Sequence, residues 1–365
     1  MNNSSFIPQM EPWFGVEEQE ALNDYMSKGG WVTEFKQTKL FENSIAKYTG
    51  SKHCILVNNG TISLTLAAIA FGIKSGDEVI IPNYTMIATP NSIKMLDAKP
   101  VFVDVESDTL CIDISLVEKA ITSKTKAVIL VNANGRYPNS GIDEFKKLCN
   151  NYGLVLIEDS AQALGSFYPD GRHMGTVGDI GSFSFSAPKV ISTGQGGALI
   201  TDNDKVANEI KRLKDFGRSS GGNDIHDSIG YNFKFTDIQA VIGIEQMKKL
   251  QWRVNRKKDI LRKYKQYLND VNSIKFFKQN LTYTTPWFID TMVEDRTQLM
   301  KKLKEENIGT RIMYPSINTQ IAYGMKGTFP VSDLIAEKGL WLPSSAQLTD
   351  NQIKHICNSI VDFYN

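Results

Sequence analysis

One lysine, Lys189, stands between an apolar, aromatic run and a glycine-rich turn in the stretch 181–202, GSFSFSAPKVISTGQGGALITD. The pattern predicts a strand, a loop carrying the lysine, a tight turn and a second strand. Small apolar flanks would take the amine out of water. Desolvation lowers a lysine pKa and frees the lone pair for attack on a carbonyl. Hydroxyls (Ser182, Ser184, Ser186, Ser192, Thr193) and the glycines Gly194, Gly196 and Gly197 would let a bulky anionic group come close to backbone. One reading is therefore a Schiff-base lysine holding an aldehyde cofactor. The other is a loop lysine whose head reaches solvent.

Two more groups could serve such a cofactor. Strand 53–58 runs into Asn59–Gly60–Thr61 and then a small-residue helix over 63–70. Free N–H groups and the helix dipole favour a phosphate at that junction, which also reads as an ordinary tight turn. Strand 154–159 ends in Glu158 and Asp159. A carboxylate at a buried strand end needs a cation or several donors, and a pyridinium nitrogen would be such a partner. Gln162, three residues on, would reach the same ligand. The alternative is that Asp159 caps the next helix.

The elements that must position these residues alternate along the chain. Helices are expected over 17–28 and 35–48. Strands over 79–82, 100–105, 127–131 and 154–159 alternate with helices over 63–70, 85–95, 116–121 and 143–152. Short, near-continuous apolar strands separated by helices indicate an α/β fold with a mostly parallel central sheet. Ligands gather beyond the carboxyl ends of such strands, where Gly60, Thr61, Met86, 132–136 and Asp159 would lie. A helix begins at 236 or 237. From about 250 the composition changes, and 251–265 reads as a separate, cationic, solvated helix. We expect a large domain over 1–249 and a smaller C-terminal α+β domain over 250–365, with a strand at 287–293, helices at 297–307 and 350–364, and a loop at 309–323.

The bulk composition excludes several classes. In 365 residues, Lys+Arg number 41 and Asp+Glu 40, for a net charge of +1. That balance gives no basic excess for nucleic acid or an anionic membrane surface. No apolar run is long enough to span a bilayer, and the start lacks a secretory pattern, so a cytoplasmic protein is expected. Cys54, Cys111, Cys149 and Cys357 form no C-x-x-C pair and only four histidines exist, so no metal site is expected and the cysteines read as buried thiols.

GSFSFSAPKVISTGQGG resembles the lysine segment of the DegT/DnrJ/EryC1/StrS sugar aminotransferases, which have fold type I, the aspartate aminotransferase-like fold. The resemblance runs through GGWVTEFKQTKLFE, VNNGT, GDEVIIP, PVFVDV, TKAVILV, IEDSAQALGS, GYNFKFTDIQAVIG and IGTRIMYP, in that order. It implies that Lys189 holds pyridoxal 5′-phosphate (PLP) and serves as acid and base. It implies that Asp159 pairs with the pyridine nitrogen, that Gln162 contacts the ring oxygen, and that Gly60, Thr61 and Ser184 bind the cofactor phosphate. Asn232 would reach the phosphate of a neighbouring subunit, so a homodimer with shared sites is implied.

Departures from the family pattern fall on positions that face the substrate. The usual ring-stacking aromatic is Met86. The usual arginine two residues after Asn232 is Lys234. His-x-Tyr-Gly is replaced by Asn132–Ala133–Asn134–Gly135, followed by Arg136, whose fork would grip a phosphate. The histidine common after Tyr314–Pro315 is absent. The implied reaction transfers an amino group from L-glutamate to the ketone of a phosphorylated substrate in capsule or surface polysaccharide synthesis. The acceptor would be a nucleotide-linked keto-sugar, such as a 4-keto-6-deoxy sugar, or a small keto-phosphate such as dihydroxyacetone phosphate, giving serinol phosphate. Arg136, Lys234 and Tyr314 are the expected substrate contacts. A PLP enzyme of another type, dehydratase or decarboxylase, and a non-catalytic PLP-binding regulator are the alternatives.

Overall fold

The computed structural model describes residues 6–218 and 224–365. Seven strands form the central sheet: β1 (His53–Val57), β2 (Glu78–Pro82), β3 (Lys99–Val103), β4 (Thr125–Val131), β5 (Val155–Asp159), β6 (Ile180–Ser184) and β7 (Gly197–Thr201). Their order is β1-β7-β6-β5-β4-β2-β3. β7 runs antiparallel to both its neighbours, and the other pairings are parallel. The VILV-type runs are buried on both faces, as strands covered by helices on each side must be. Ile55, Ile81, Ile129 and Ile157 belong to the core on one face. Ile80, Val128, Leu130 and Leu156 belong to the core on the other.

A second sheet joins β8 (Ile274–Phe276), β9 (Ile289–Val293), β10 (Arg311–Ile312) and β11 (Gly339–Leu342) in the order β10-β11-β9-β8, all antiparallel. It packs with the helices Arg296–Glu305 and Asp350–Tyr364 around its own apolar core. Within the expected loop at 309–323 the chain forms β10 and a short 3-10 turn, Ile317–Thr319.

The separate helix expected over 251–265 is part of a longer one. That helix, Asp237–Tyr267, spans 31 residues. No proline interrupts the segment. Its cationic half is not a solvated face throughout: Arg253 and Lys257 are turned inward and are 4% and 2% exposed. The expected helix over 85–95 is shorter, Ala88–Lys94. Two helices that the sequence reading passed over are Asp204–Lys214 and Pro330–Lys338. The first is capped by Asn203 and buries Val206, Ala207, Ile210 and Leu213 at helical spacing.

All four cysteines are buried and free. Among the described residues no helix is long and apolar enough to cross a membrane, and no cluster of His, Cys, Asp and Glu could hold a metal ion.

Candidate active site

A cavity of about 480 Å³ opens beyond the carboxyl ends of the parallel strands. It is lined by the starts of two helices, the ends of β5 and β6, the lysine loop and residues from the small-sheet half. Gly60, Thr61, Met86, Asp159, Gln162, Ser184, Lys189 and Tyr314 all line it.

Lys189 sits in the loop between β6 and β7. Phe185 N–H to the Gly196 carbonyl (2.8 Å) and Thr193 N–H to the Phe185 carbonyl (2.9 Å) close that loop. The glycines serve the backbone rather than a ligand. Gly194 has φ +80°, and a Cβ on Gly197 would stand 2.4 Å from the Asn59 carbonyl oxygen. Gly194 thus supplies the left-handed turn, and the missing side chain at Gly197 lets β7 meet the helix start at Gly60.

The Lys189 ammonium has no carboxylate within salt-bridge distance among the described residues. Its nearest described partner is the face of Trp287, 4.2 Å from the ring centroid. Burial lowers its pKa to about 8, against a smaller upward pull from the Asp159 charge. The Trp287 ring itself favours the cation, by about 0.5–2 kcal/mol. The fall from 10.5 to about 8 corresponds to roughly 3 kcal/mol the other way, so desolvation wins.

The two carboxylates at the end of β5 have opposite fates, because adjacent strand residues point to opposite faces. Glu158 accepts N–H bonds from Gly175 (2.8 Å), Val177 (2.7 Å) and Gly178 (2.6 Å) and the Tyr168 hydroxyl (2.5 Å). It is fully supplied. Asp159 faces the cavity with two donors, the Thr89 hydroxyl at 2.7 Å and the Ala161 N–H at 3.2 Å. Burial raises its pKa, while those donors and Lys189 lower it by less. No helix follows Asp159, so it is not a helix cap.

An anion cradle lies at the helix Gly60–Ala70. Asn59 caps the helix by accepting the Ile62 N–H at 2.9 Å. The N–H groups of Gly60 and Thr61 have no acceptor among the described residues. The Ser184 and Ser186 hydroxyls, 3.3 Å apart, also line the cavity. A Cβ on Gly60 would lie 2.9 Å from the Ser184 Cβ, so only glycine lets this helix start so close to β6. A buried carboxylate short of a cation, a lysine short of an anion, and unspent N–H donors at a helix start fit a phosphorylated pyridine aldehyde.

A family profile for the DegT/DnrJ/EryC1/StrS aminotransferases matches residues 14–361. The chain belongs to that family. It is 34% identical to the GDP-perosamine synthase of Vibrio cholerae, over 98% of this chain and 99% of that one. It is 33% identical to the GDP-perosamine synthase of Escherichia coli O157:H7, again over 98% and 99%. Among solved structures it is similar to DesV of S. venezuelae, with TM-score 0.90, 28% identity and 96% and 95% of the two chains covered. It is also similar to a Streptococcus pneumoniae protein solved in its PLP form, with TM-score 0.91, 26% identity and 97% of each chain covered. The chain is thus a PLP-dependent aminotransferase of fold type I, and the readings as another class of PLP enzyme or as a regulator fall away.

Arg136, expected to meet the substrate, is turned into the fold of the aminotransferase instead. Arg136 is 3% exposed and absent from the cavity wall. Its fork meets Asp290 through Nη1 (3.1 Å) and Nη2 (2.6 Å), and its Nε donates to the Thr109 carbonyl at 2.7 Å. A second expectation fails for the same reason: Asn132 and Asn134 are buried and hydrogen-bonded inside the fold, not facing a substrate. Asn232 and Lys234 also lie outside the cavity of this chain. Asn232 forms a β-bridge with Asp215, and Lys234 Nζ is 2.7 Å from the same aspartate and over the Phe216 ring.

The sequence reading missed Thr89, Trp287 and Arg311. Thr89 follows Thr85 by four residues, with their hydroxyls 3.0 Å apart, a spacing that could have signalled it. Trp287 read only as the start of a strand. Arg311 lies at the cavity rim over the Trp341 ring (5.4 Å) and has no carboxylate partner among the described residues. Lys189 and Arg311 are the two cations on the described cavity wall.

Proposed function

We propose that this aminotransferase moves an amino group from L-glutamate to the ketone of a nucleotide-linked keto-sugar, a precursor of surface polysaccharide, in the cytoplasm. The observation that carries this reading is that Lys189 and Asp159, neither with an ion-pair partner among the described residues, line one cavity whose wall also holds Arg311. A 4-keto-6-deoxy sugar is the favoured acceptor, in line with the full-length similarity to GDP-perosamine synthases. Dihydroxyacetone phosphate loses its support, because that reading relied on Arg136 gripping a small phosphate.

When bound, PLP supplies an electron sink conjugated to the amino group in transfer. The residues around it have separate tasks. Lys189 carries the cofactor and, with a pKa brought to about 8, takes and returns a proton near neutral pH. Asp159 holds the proton on the ring nitrogen. Gln162 contacts the ring oxygen, and its Oε1 is already occupied by the Asn134 N–H at 2.7 Å. Gly60, Thr61 and Ser184 hold the phosphate. Met86, which lines the cavity, would offer the ring a thioether in place of an aromatic. Arg311 and Tyr314 meet the anionic acceptor. Asn232 and Lys234 serve the site of a second subunit in a homodimer. The exposed apolar side chains of Trp31, Phe35, Ile225 and Ile229 support a partner surface near them.

The test uses purified enzyme with PLP and glutamate, followed by absorbance and 2-oxoglutarate release. Loss of the bound-cofactor band with stoichiometric 2-oxoglutarate is expected. A sugar nucleotide bearing a 4-ketone should then restore the band, and dihydroxyacetone phosphate should not. Borohydride trapping and mass mapping should place the cofactor on Lys189. An adduct on another residue, or restoration by dihydroxyacetone phosphate alone, would refute the assignment.

A further inference from the structure

Asn134 occupies the turn Ala133–Gly135 after β4, at φ +53° and ψ +31°. Asparagine tolerates this left-handed backbone better than most residues. Gly135 follows at φ +74°, where a Cβ would lie 2.3 Å from the Thr285 carbonyl oxygen. The turn is therefore pressed onto the segment that carries Trp287.

Asn134 reaches two cavity residues by two different routes. Its main-chain N–H donates to Gln162 Oε1 at 2.7 Å. That occupies the amide oxygen and leaves the Gln162 NH₂ as the free polar face. Its side chain grips the backbone of Phe288: Nδ2 donates to the Phe288 carbonyl at 2.9 Å, and Oδ1 accepts the Phe288 N–H at 2.6 Å. One side chain thus supplies the two bonds that a neighbouring strand would. Trp287 is the adjacent residue. Its carbonyl accepts from Lys257 Nζ at 2.7 Å, its indole N–H donates to the Pro188 carbonyl at 2.8 Å, and its ring covers Lys189 Nζ.

We propose that Asn134 is a positioning residue that sets Gln162 and Trp287 in a single register around Lys189, with the Phe288 clamp keeping water off one side of the amine. The proposal rests on the reading of Lys189 as the reactive amine. The charged group that bears on Lys189 is Asp159, which the clamp does not touch. Loosening the clamp lets water reach the amine and moves its pKa up towards that of an ordinary lysine.

Two variants separate positioning from simple stability. Asn134→Gly keeps the left-handed backbone and the bond to Gln162 and deletes both bonds to Phe288. Asn134→Asp keeps the shape and the acceptor for Phe288 N–H but sets an oxygen against the Phe288 carbonyl, and it gives the same readout if the glycine chain does not fold. Cofactor-free chains are treated with an amine-reactive reagent across pH, and modification of Lys189 is mapped by mass spectrometry. The midpoint should rise from about 8 towards 10.5, and the free-amine fraction at neutral pH should fall about tenfold. Trp287→Phe should raise the midpoint similarly, and adding Asn134→Gly to it should add little, because both act through one contact. A fall in melting temperature with an unmoved midpoint, or fully additive shifts, would make Asn134 a structural residue and overturn the proposal. Because the bare amine is read, failure of the PLP assignment would appear in the borohydride map and not here.

Discussion

Two cation–carboxylate neighbourhoods among the described residues, Arg136 with Asp290 and Lys189 with Asp159, are built in opposite ways. At Arg136–Asp290 the charges are 3% and 8% exposed at their side chains and meet through both terminal guanidinium nitrogens, and the arginine also donates to the Thr109 carbonyl and to Gln279 Oε1. At Lys189 and Asp159 no ion pair forms. The carboxylate has two donors, the amine has an aromatic face, and burial pushes both groups towards their neutral forms. Desolvation is offset in the first place and left open in the second. A saturated buried pair fixes a turn against a sheet. An unsaturated one leaves valences for a ligand that brings its own charges.

That difference is tested most strongly by breaking the saturated pair. Arg136→Met removes the cation and leaves Asp290 buried and the Thr109 carbonyl without its donor. Removing one partner of a buried pair costs about 3–5 kcal/mol, which a lowered urea midpoint of the cofactor-free chain should report. Arg136→Met with Asp290→Leu should cost less than the single change, since no charge is then stranded. An Arg136→Met chain with full stability but no affinity for acceptor would return Arg136 to the substrate site.

Asp159→Asn is the mirror experiment. The amide keeps the shape, and the carboxylate it replaces is already disfavoured by burial. Stability without cofactor should hold or rise. Turnover should fall by about 10²–10³, the range for removing one preorganised electrostatic partner. Loss of stability instead of turnover would make Asp159 a scaffold residue like Arg136. Melting curves and initial rates on one preparation decide between them.

The same contrast explains what could be read from the sequence. The parallel strands were legible because burial on both faces demands continuous apolar runs, and their carboxyl ends located Gly60, Thr61 and Asp159. The withdrawal of the Lys189 amine from water was legible from its small apolar flanks. Arg136 was misjudged because a fork suited to phosphate is equally suited to a carboxylate, and its partner Asp290 is 154 residues away on β9. Lys257 and Arg253 were read as solvated because the charge density of 251–265 hides which turn faces inward. Trp287 met Lys189 only through the approach of two distant loops, which no local pattern encodes. A separate helix at 251–265 is what the composition suggests, whereas one helix continues through this point because nothing there stops it.

The smallest effect concerns Lys257, which is a third kind of buried cation. It is 2% exposed and donates to two neutral carbonyls, of Trp287 and Ser344, each at 2.7 Å. Burial, and to a lesser degree the Arg253 charge, lower its pKa to about 7. Below that pH the lysine is protonated whether the chain is folded or not, and it adds no pH dependence. Between about 7 and the ordinary 10.5 the unfolded chain binds more protons than the folded one, so stability rises with pH. Lys189 adds a similar rise from about 8 in the cofactor-free chain. Each group contributes at most about 1.4 kcal/mol per pH unit. Urea midpoints at neutral and mildly alkaline pH should therefore climb for the native chain, and Lys257→Met should climb less steeply. The slope is the readout, because at any single pH the gain from an apolar side chain is set against two carbonyls left without a donor. Equal slopes would mean that two carbonyls alone keep the ammonium charged in the core. Partnerless cations would then carry no mark of chemistry, and the distinction between Arg136 and Lys189 would have to rest on the cavity alone.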